Sequence, residues 1–259
     1  MTSLPVVVLV HGAWSTPFGY QTYIDALRRQ GFQVHCPRLP TCSDESPPTA
    51  SLADDIACIE EVVRGLVEAG DRVLMILHSY GGVVGSSAVD GLSLTERKAA
   101  GHPGGVVHLL YVCGYILDVG TCVWNILEEA KFDHLWDQFI DTDANGLTLI
   151  KDPNLLLFSG RAEQEIVDRA LQSLVRFPKP VLHTTVTAAA WKTIPTTYIS
   201  TLEDYAVPLV YQEIMLKKVR KQGVELKVET YDADHSLYIT KEKEMVDAAV
   251  KAATDERNA

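Results

Sequence analysis

Apolar positions along this chain follow two periods. Short runs rich in aliphatic and β-branched residues, at Val6–Val10, Gln33–Cys36, Arg72–Leu77, Val106–Cys113, Thr196–Ile199 and Leu226–Thr230, predict strands. Most are continuously apolar, as strands covered on both faces should be. Between them, apolar residues recur at three- and four-residue spacing. Ile56, Ile59, Val63, Leu66 and Val67 run to a stop at Gly70, and Tyr23, Ile24 and Leu27 run towards Gly31. Met245, Val246, Ala249 and Val250 mark a closing helix. These stripes are core-forming. The alternation predicts an α/β fold, a mostly parallel sheet of about six strands joined by right-handed helical crossovers.

One connection breaks the rhythm. The stretch from about Asp118 to Trp191 is too long for an ordinary loop in a compact domain, so it should be a structure of its own. It holds Trp124, Phe132, Trp136 and Phe139, then a helical pattern from about Ala162 to Leu174. A helical cap at residues 118–191, within a single domain spanning residues 1–259, fits this pattern better than an independent domain. The aromatics either line a substrate pocket, with Trp14, Trp124 and Trp136 the candidates, or hold the cap to the sheet.

Composition narrows the function classes. Apolar residues are 47% and charged residues 22% of 259 positions, enough to bury a sizeable interior. Only the polar tail Thr254–Ala259 is expected to lack structure. The net charge of −11, with no Lys/Arg stripe, argues against a nucleic-acid partner. The run Pro5–Val10 is too short to span a bilayer and lacks the flanks of a signal peptide, so no membrane partner and a cytoplasmic location are expected. The five cysteines show no Cys-x-x-Cys spacing, which speaks for buried thiols rather than disulfides or a zinc site. No metal or organic cofactor is expected, and the sequence is silent on homo-oligomers.

The chemistry lies at strand ends. After Arg72–Leu77 come His78-Ser79-Tyr80-Gly81-Gly82 and a small-residue, helix-compatible run, the strand–turn–helix context of an exposed nucleophilic serine. Leu77 stands where such turns usually carry a small residue, and its side chain is expected to crowd the turn. The first strand ends in His11-Gly12-Ala13-Trp14, a turn suited to donating a backbone N–H to an oxyanion. The expected donors are the amides of Ala13 or Trp14 and of Tyr80, with His11 orienting the turn. His78 is expected to point elsewhere. After Leu226–Thr230, the loop Tyr231–His235 brings His235 over Ser79 as general base. The orienting acid is expected to be Asp204, directly after Thr196–Ile199, with Asp118 the runner-up. Glu203 should point the other way, and Asp232 and Asp234 should shape the His235 loop.

Together these segments resemble the plant methylesterase and hydroxynitrile-lyase group of α/β hydrolases and their microbial relatives. The match comprises Val8–Ala13, His78–Gly82, Ile194–Ile199 through Asp204 and Pro208, and Ala233-Asp234-His235. Leu77 departs from the usual Gly. The resemblance implies the α/β-hydrolase fold and cleavage of a small-molecule carboxylic ester or lactone through an acyl-enzyme, under a cap that forms an apolar pocket. Lyases of the group place Thr after the oxyanion-turn His and Lys after the catalytic His. This chain has Gly12 and Ser236, which favours esterase or lactonase chemistry. Two rivals use the same residues: C–C cleavage or cyclisation of a polyketide-like molecule, and ligand binding without turnover.

Overall fold

The computed structural model describes residues 4–160 and 162–255. Of the polar tail, residues 256–259 lie outside the described residues. The chain enters through strands β1 (Val6–Val10), β2 (Val34–His35), β3 (Arg72–His78) and β4 (Gly105–Val112). It then forms three short strands, β5 (Ile140–Thr142), β6 (Leu147–Ile150) and β7 (Phe177–Pro178), and returns through β8 (Thr196–Thr201) and β9 (Lys227–Tyr231). The six predicted strands are all present, each within two residues of its expected ends. They form one sheet in the order β2-β1-β3-β4-β8-β9, with every pairing parallel.

Side-chain alternation splits the interior into two layers. Val8, Val10, Met75 and Leu77 face one side, where helices α2 (Leu52–Glu68) and α3 (Gly81–Ala88) pack. Val7, Leu9, Leu74 and Ile76 face the other, against α1 (Gln21–Arg29) and the closing helix Glu242–Ala253. Burial on both faces explains why the central strands are apolar throughout rather than alternating. The chain winds outward from β1 to β2, then returns across to β3. The carboxyl ends of β1 and β3 therefore flank a crevice at a topological switch point.

The insertion between β4 and β8 lies over that crevice, and it differs from the helical expectation. It carries helices Val123–Glu129, Pro153–Phe158 and Gln164–Leu171, but also the antiparallel sheet β5-β6-β7. The helix predicted to reach Leu174 ends at Leu171: the amides of Gln172, Ser173 and Leu174 bond three residues back rather than four, and the Val175 N–H bonds the Trp14 carbonyl at 2.9 Å. Trp14 Nε1 donates to Thr148 Oγ1 on β6 at 2.9 Å, and that hydroxyl donates to the Phe177 carbonyl at 2.6 Å. The small sheet is thus pinned to the turn after β1. Among the described residues no helix is long and apolar enough to cross a membrane.

Candidate active site

The turn after β1 is held by the side chain of His11. His11 Nε2 accepts the Leu39 N–H at 3.1 Å, so its proton sits on Nδ1, which donates to the Gly12 carbonyl at 2.9 Å. Burial takes the His11 pKa from its ordinary 6.5 down to about 4, which keeps the ring neutral in this role. Because the peptide is planar and trans, pinning the Gly12 carbonyl aims the Ala13 N–H the opposite way. His11 therefore orients the turn, as its place before Gly12 suggested.

The Ser79 turn follows β3. Ser79 adopts φ +55°, a left-handed conformation that lifts its side chain above the sheet. The strain is held by backbone bonds from Ser79 N to Val112 O at 3.2 Å and from Tyr115 N to Ser79 O at 3.0 Å. A β-carbon at Gly81 would collide with the Val10 carbonyl, so glycine is needed for α3 to close on the end of β1. Leu77 does not displace the turn. It is fully buried, and its Cδ2 occupies the space that Gly85 on α3 leaves open, where a β-carbon would collide with it. Among the described residues, neither the Ala13 nor the Tyr80 amide has a hydrogen-bond partner, and both residues border the same cavity as Ser79.

His235 and Asp204 meet where the ends of β8 and β9 approach. His235 Nδ1 donates to Asp204 Oδ2 at 2.8 Å, and both residues are only 3% exposed. A carboxylate only accepts, so Nδ1 carries a proton, and in the neutral ring the lone pair is on Nε2. Asp204 is held in turn by Thr201 Oγ1 at 3.0 Å and by the amides of Ala206 and Val207 at 2.9 and 2.7 Å. The runner-up, Asp118, sits apart on the surface with Lys192 at 3.0 Å and Gln222 at 2.7 Å. Glu203 ties the two loops together through its backbone, its N–H bonding the Ala233 carbonyl at 3.1 Å. Asp234 accepts from Thr240 Oγ1 at 3.1 Å and shapes the His235 loop, as expected. Among the described residues Ser79 Oγ has no hydrogen-bond partner. It and His235 line a common pocket of about 30 Å³.

On its other side Ser79 opens into a cavity of about 320 Å³. Trp14 and Trp136 line it, as expected, with Phe132, Leu156, Leu182 and Tyr211. None of its lining residues carries a charged side chain. Trp124, also expected there, is not among them. It follows Val123 on a helix whose Val123 and Leu127 face the cavity, so it turns away to pack on Trp136 at 5.3 Å and His183 at 4.4 Å, with the Lys179 ammonium 4.9 Å over its ring.

Several supporting residues escaped the sequence reading. His78 does not point elsewhere: its ring lies 4.6 Å from that of His235 and its Nε2 donates to the His235 carbonyl at 2.9 Å. Gln212 is fully buried and braces the acid loop, donating to the Thr201 and Val207 carbonyls at 3.1 and 2.8 Å. Asp55 is a fully buried carboxylate that accepts from Tyr80 Oη at 2.8 Å and from Thr41 Oγ1 at 2.6 Å. It holds the side chain of a residue that borders the cavity. Its one sequence signal is a carboxylate on the apolar stripe of α2, between Leu52 and Ile59. The ligating atoms of His78, Cys113 and His235 lie within 4.8 Å of one another. These atoms are already engaged: His235 Nδ1 bonds Asp204, His78 Nε2 bonds the His235 carbonyl, and burial pushes the Cys113 thiol well above its ordinary pKa, keeping it protonated.

Comparison with known proteins agrees with the fold. A model of the alpha/beta hydrolase family matches residues 7–248. The chain belongs to that family. This alpha/beta hydrolase is 30% identical over 220 residues to alpha/beta hydrolase nvfD of Aspergillus novofumigatus, covering 85% of this chain and 84% of that protein. Its fold is similar to that of a pyrethroid hydrolase from Sphingobium faniae, with a TM-score of 0.76 at 16% identity over 99% of this chain and 100% of the other. It is similar also to polyneuridine aldehyde esterase, with a TM-score of 0.75 at 15% identity over 96% and 99% of the two chains. With both structures the likeness is one of fold.

Proposed function

We propose that this hydrolase cleaves carboxylic esters or lactones of small, neutral, apolar molecules through an acyl-enzyme on Ser79. The observation that carries the reading is the 2.8 Å contact between His235 Nδ1 and buried Asp204, on a loop bordering the same pocket as a serine in a left-handed turn. Ser79 Oγ attacks the substrate carbonyl while His235 Nε2 takes its proton, and Asp204 stabilises the imidazolium that results. The amides of Ala13 and Tyr80, with the N-terminus of α3 behind them, stabilise the oxyanion of the tetrahedral intermediate. Collapse expels the alcohol, which takes its proton from His235. Water then repeats the sequence and releases the acid. In a lactone the alcohol stays tethered to the product.

The uncharged cavity lining supports a neutral substrate, since a substrate carboxylate would lie there with no cation to pair it, at a cost of several kcal/mol. The test is a panel of neutral esters and lactones run in oxygen-labelled water. One solvent oxygen should enter each acid product, and Ser79→Ala should lower kcat by roughly 10⁶-fold. Turnover that takes up no solvent oxygen, or that persists in Ser79→Ala, contradicts the reading.

A further inference from the structure

A continuous line of hydrogen bonds joins the turn after β1 to the His235 loop beneath Ser79. The Gly12 N–H donates to Tyr20 Oη at 3.0 Å, Tyr20 Oη donates to His78 Nδ1 at 2.7 Å, and His78 Nε2 donates to the His235 carbonyl at 2.9 Å. The direction of every bond is forced. A carbonyl only accepts, so His78 carries its proton on Nε2, and Nδ1 must then accept from Tyr20. With its one proton spent on His78, Tyr20 meets the Gly12 N–H with a lone pair. Burial, reinforced by the neighbouring His235, holds the His78 pKa well below its ordinary value, so the ring stays in this neutral form. Tyr238, three residues beyond His235, stacks on Tyr20 at 4.2 Å and meets the His78 ring edge-on at 4.9 Å, locking both rings.

We propose that Tyr20 and His78 are positioning residues that couple the oxyanion donor to the general base, setting the Gly12–Ala13 backbone and the His235 backbone against each other across Ser79. Neither residue touches substrate in this assignment. His11 fixes the carbonyl of the Gly12–Ala13 peptide and Tyr20 fixes the N–H on the other side of Gly12, so the Ala13 amide is held from both directions. Losing the line misplaces the donor and the base together while the apolar cavity stays intact. The inference rests on the serine-hydrolase reading, and the test below separates the two.

The experiment compares wild type, Tyr20→Phe, His78→Gln and His78→Leu for kcat and KM on p-nitrophenyl butyrate, for the rate of Ser79 phosphonylation by a fluorophosphonate, for inhibition by an alkyl trifluoromethyl ketone, and for thermal stability. Tyr20→Phe deletes one oxygen from a packed ring and should fold. It should lower kcat and the phosphonylation rate by about 10- to 100-fold with KM within about twofold. The trifluoromethyl ketone, which mimics the oxyanion, should weaken in proportion to kcat/KM. Gln can still donate to the His235 carbonyl, so His78→Gln should keep most of the kcat that His78→Leu loses. Wild-type rates in Tyr20→Phe overturn the proposal, as does a His78→Gln enzyme that folds and is as impaired as His78→Leu. A wild type that turns over no ester contradicts the ester reading alone, because the phosphonylation rates still decide between presence and absence of the coupling.

Discussion

The carboxyl edge of the main sheet and the insertion that covers it are built on opposite principles. At the edge, polar groups dominate and their partners are assigned: His11, His78, Asp204 and His235 are buried and each makes its hydrogen bonds to named atoms. The insertion meets the same cavity with Val123, Leu127, Phe132, Leu135 and Trp136, which offer shape and little direction. The difference separates two tasks. Directional bonds hold reacting groups to within tenths of an ångström, whereas apolar surface selects what enters and tolerates variation in it. Rate should therefore be lost by changes at the edge, and substrate range by changes in the insertion.

The largest effect expected from that contrast is at Asp204. Asp204→Asn should lower kcat by about 10⁴-fold with folding retained, because the amide cannot hold His235 in the Nδ1–H tautomer. Asp118→Asn, on the surface beside Lys192, should stay near wild type. Steady-state kinetics of the two variants check both, and the reverse pattern would break the assignment of the acid.

Next is a pH effect on stability, which belongs to the edge. Burial lowers the His11 pKa from 6.5 to about 4, so between those values the unfolded chain binds a proton that the folded chain refuses. The stability His11 confers is fully present above pH 6.5 and is lost as pH falls towards 4, up to about 3 kcal/mol. His78, also held neutral by burial, adds a loss of the same sign. Denaturant melts across this window should show stability rising with pH, and His11→Gln should flatten the slope without abolishing it. An unchanged slope would place the acid sensitivity outside the edge.

The smallest effect sharpens the other half of the contrast. Trp136→Ala should raise KM for bulky neutral esters by about tenfold, the scale of partial loss of an apolar contact, and leave kcat for acetate esters within about twofold. A large fall in kcat for both substrate sizes would mean that the insertion also positions the reacting groups.

Legibility in the sequence divided along the same line. The central strands were readable because a strand buried on both faces must be apolar throughout, and β1 appears at its predicted bounds. The places of Ser79, Asp204 and His235 were readable because each lies within four residues of a strand's carboxyl end, where chain order and strand direction bring them to one edge of the sheet. Trp124 misled because neighbouring helix positions point about 100° apart, so one step along the helix moves an aromatic from the cavity to its outer wall. The sheet β5-β6-β7 was missed because strands of two to four residues are too short to show a period. The roles of His78 and Tyr20 were hidden because their partners come from the β1 turn and the His235 loop, remote in sequence from His78.

The most direct test of Ser79 as the covalent centre is the intact mass of the protein, acid-quenched within milliseconds of mixing with p-nitrophenyl butyrate. The account predicts a butyryl adduct that peptide mapping assigns to Ser79, that is absent from Ser79→Ala and that persists longer when deacylation is slowed. Turnover without any adduct under burst conditions, or an adduct mapped to another residue, would contradict it.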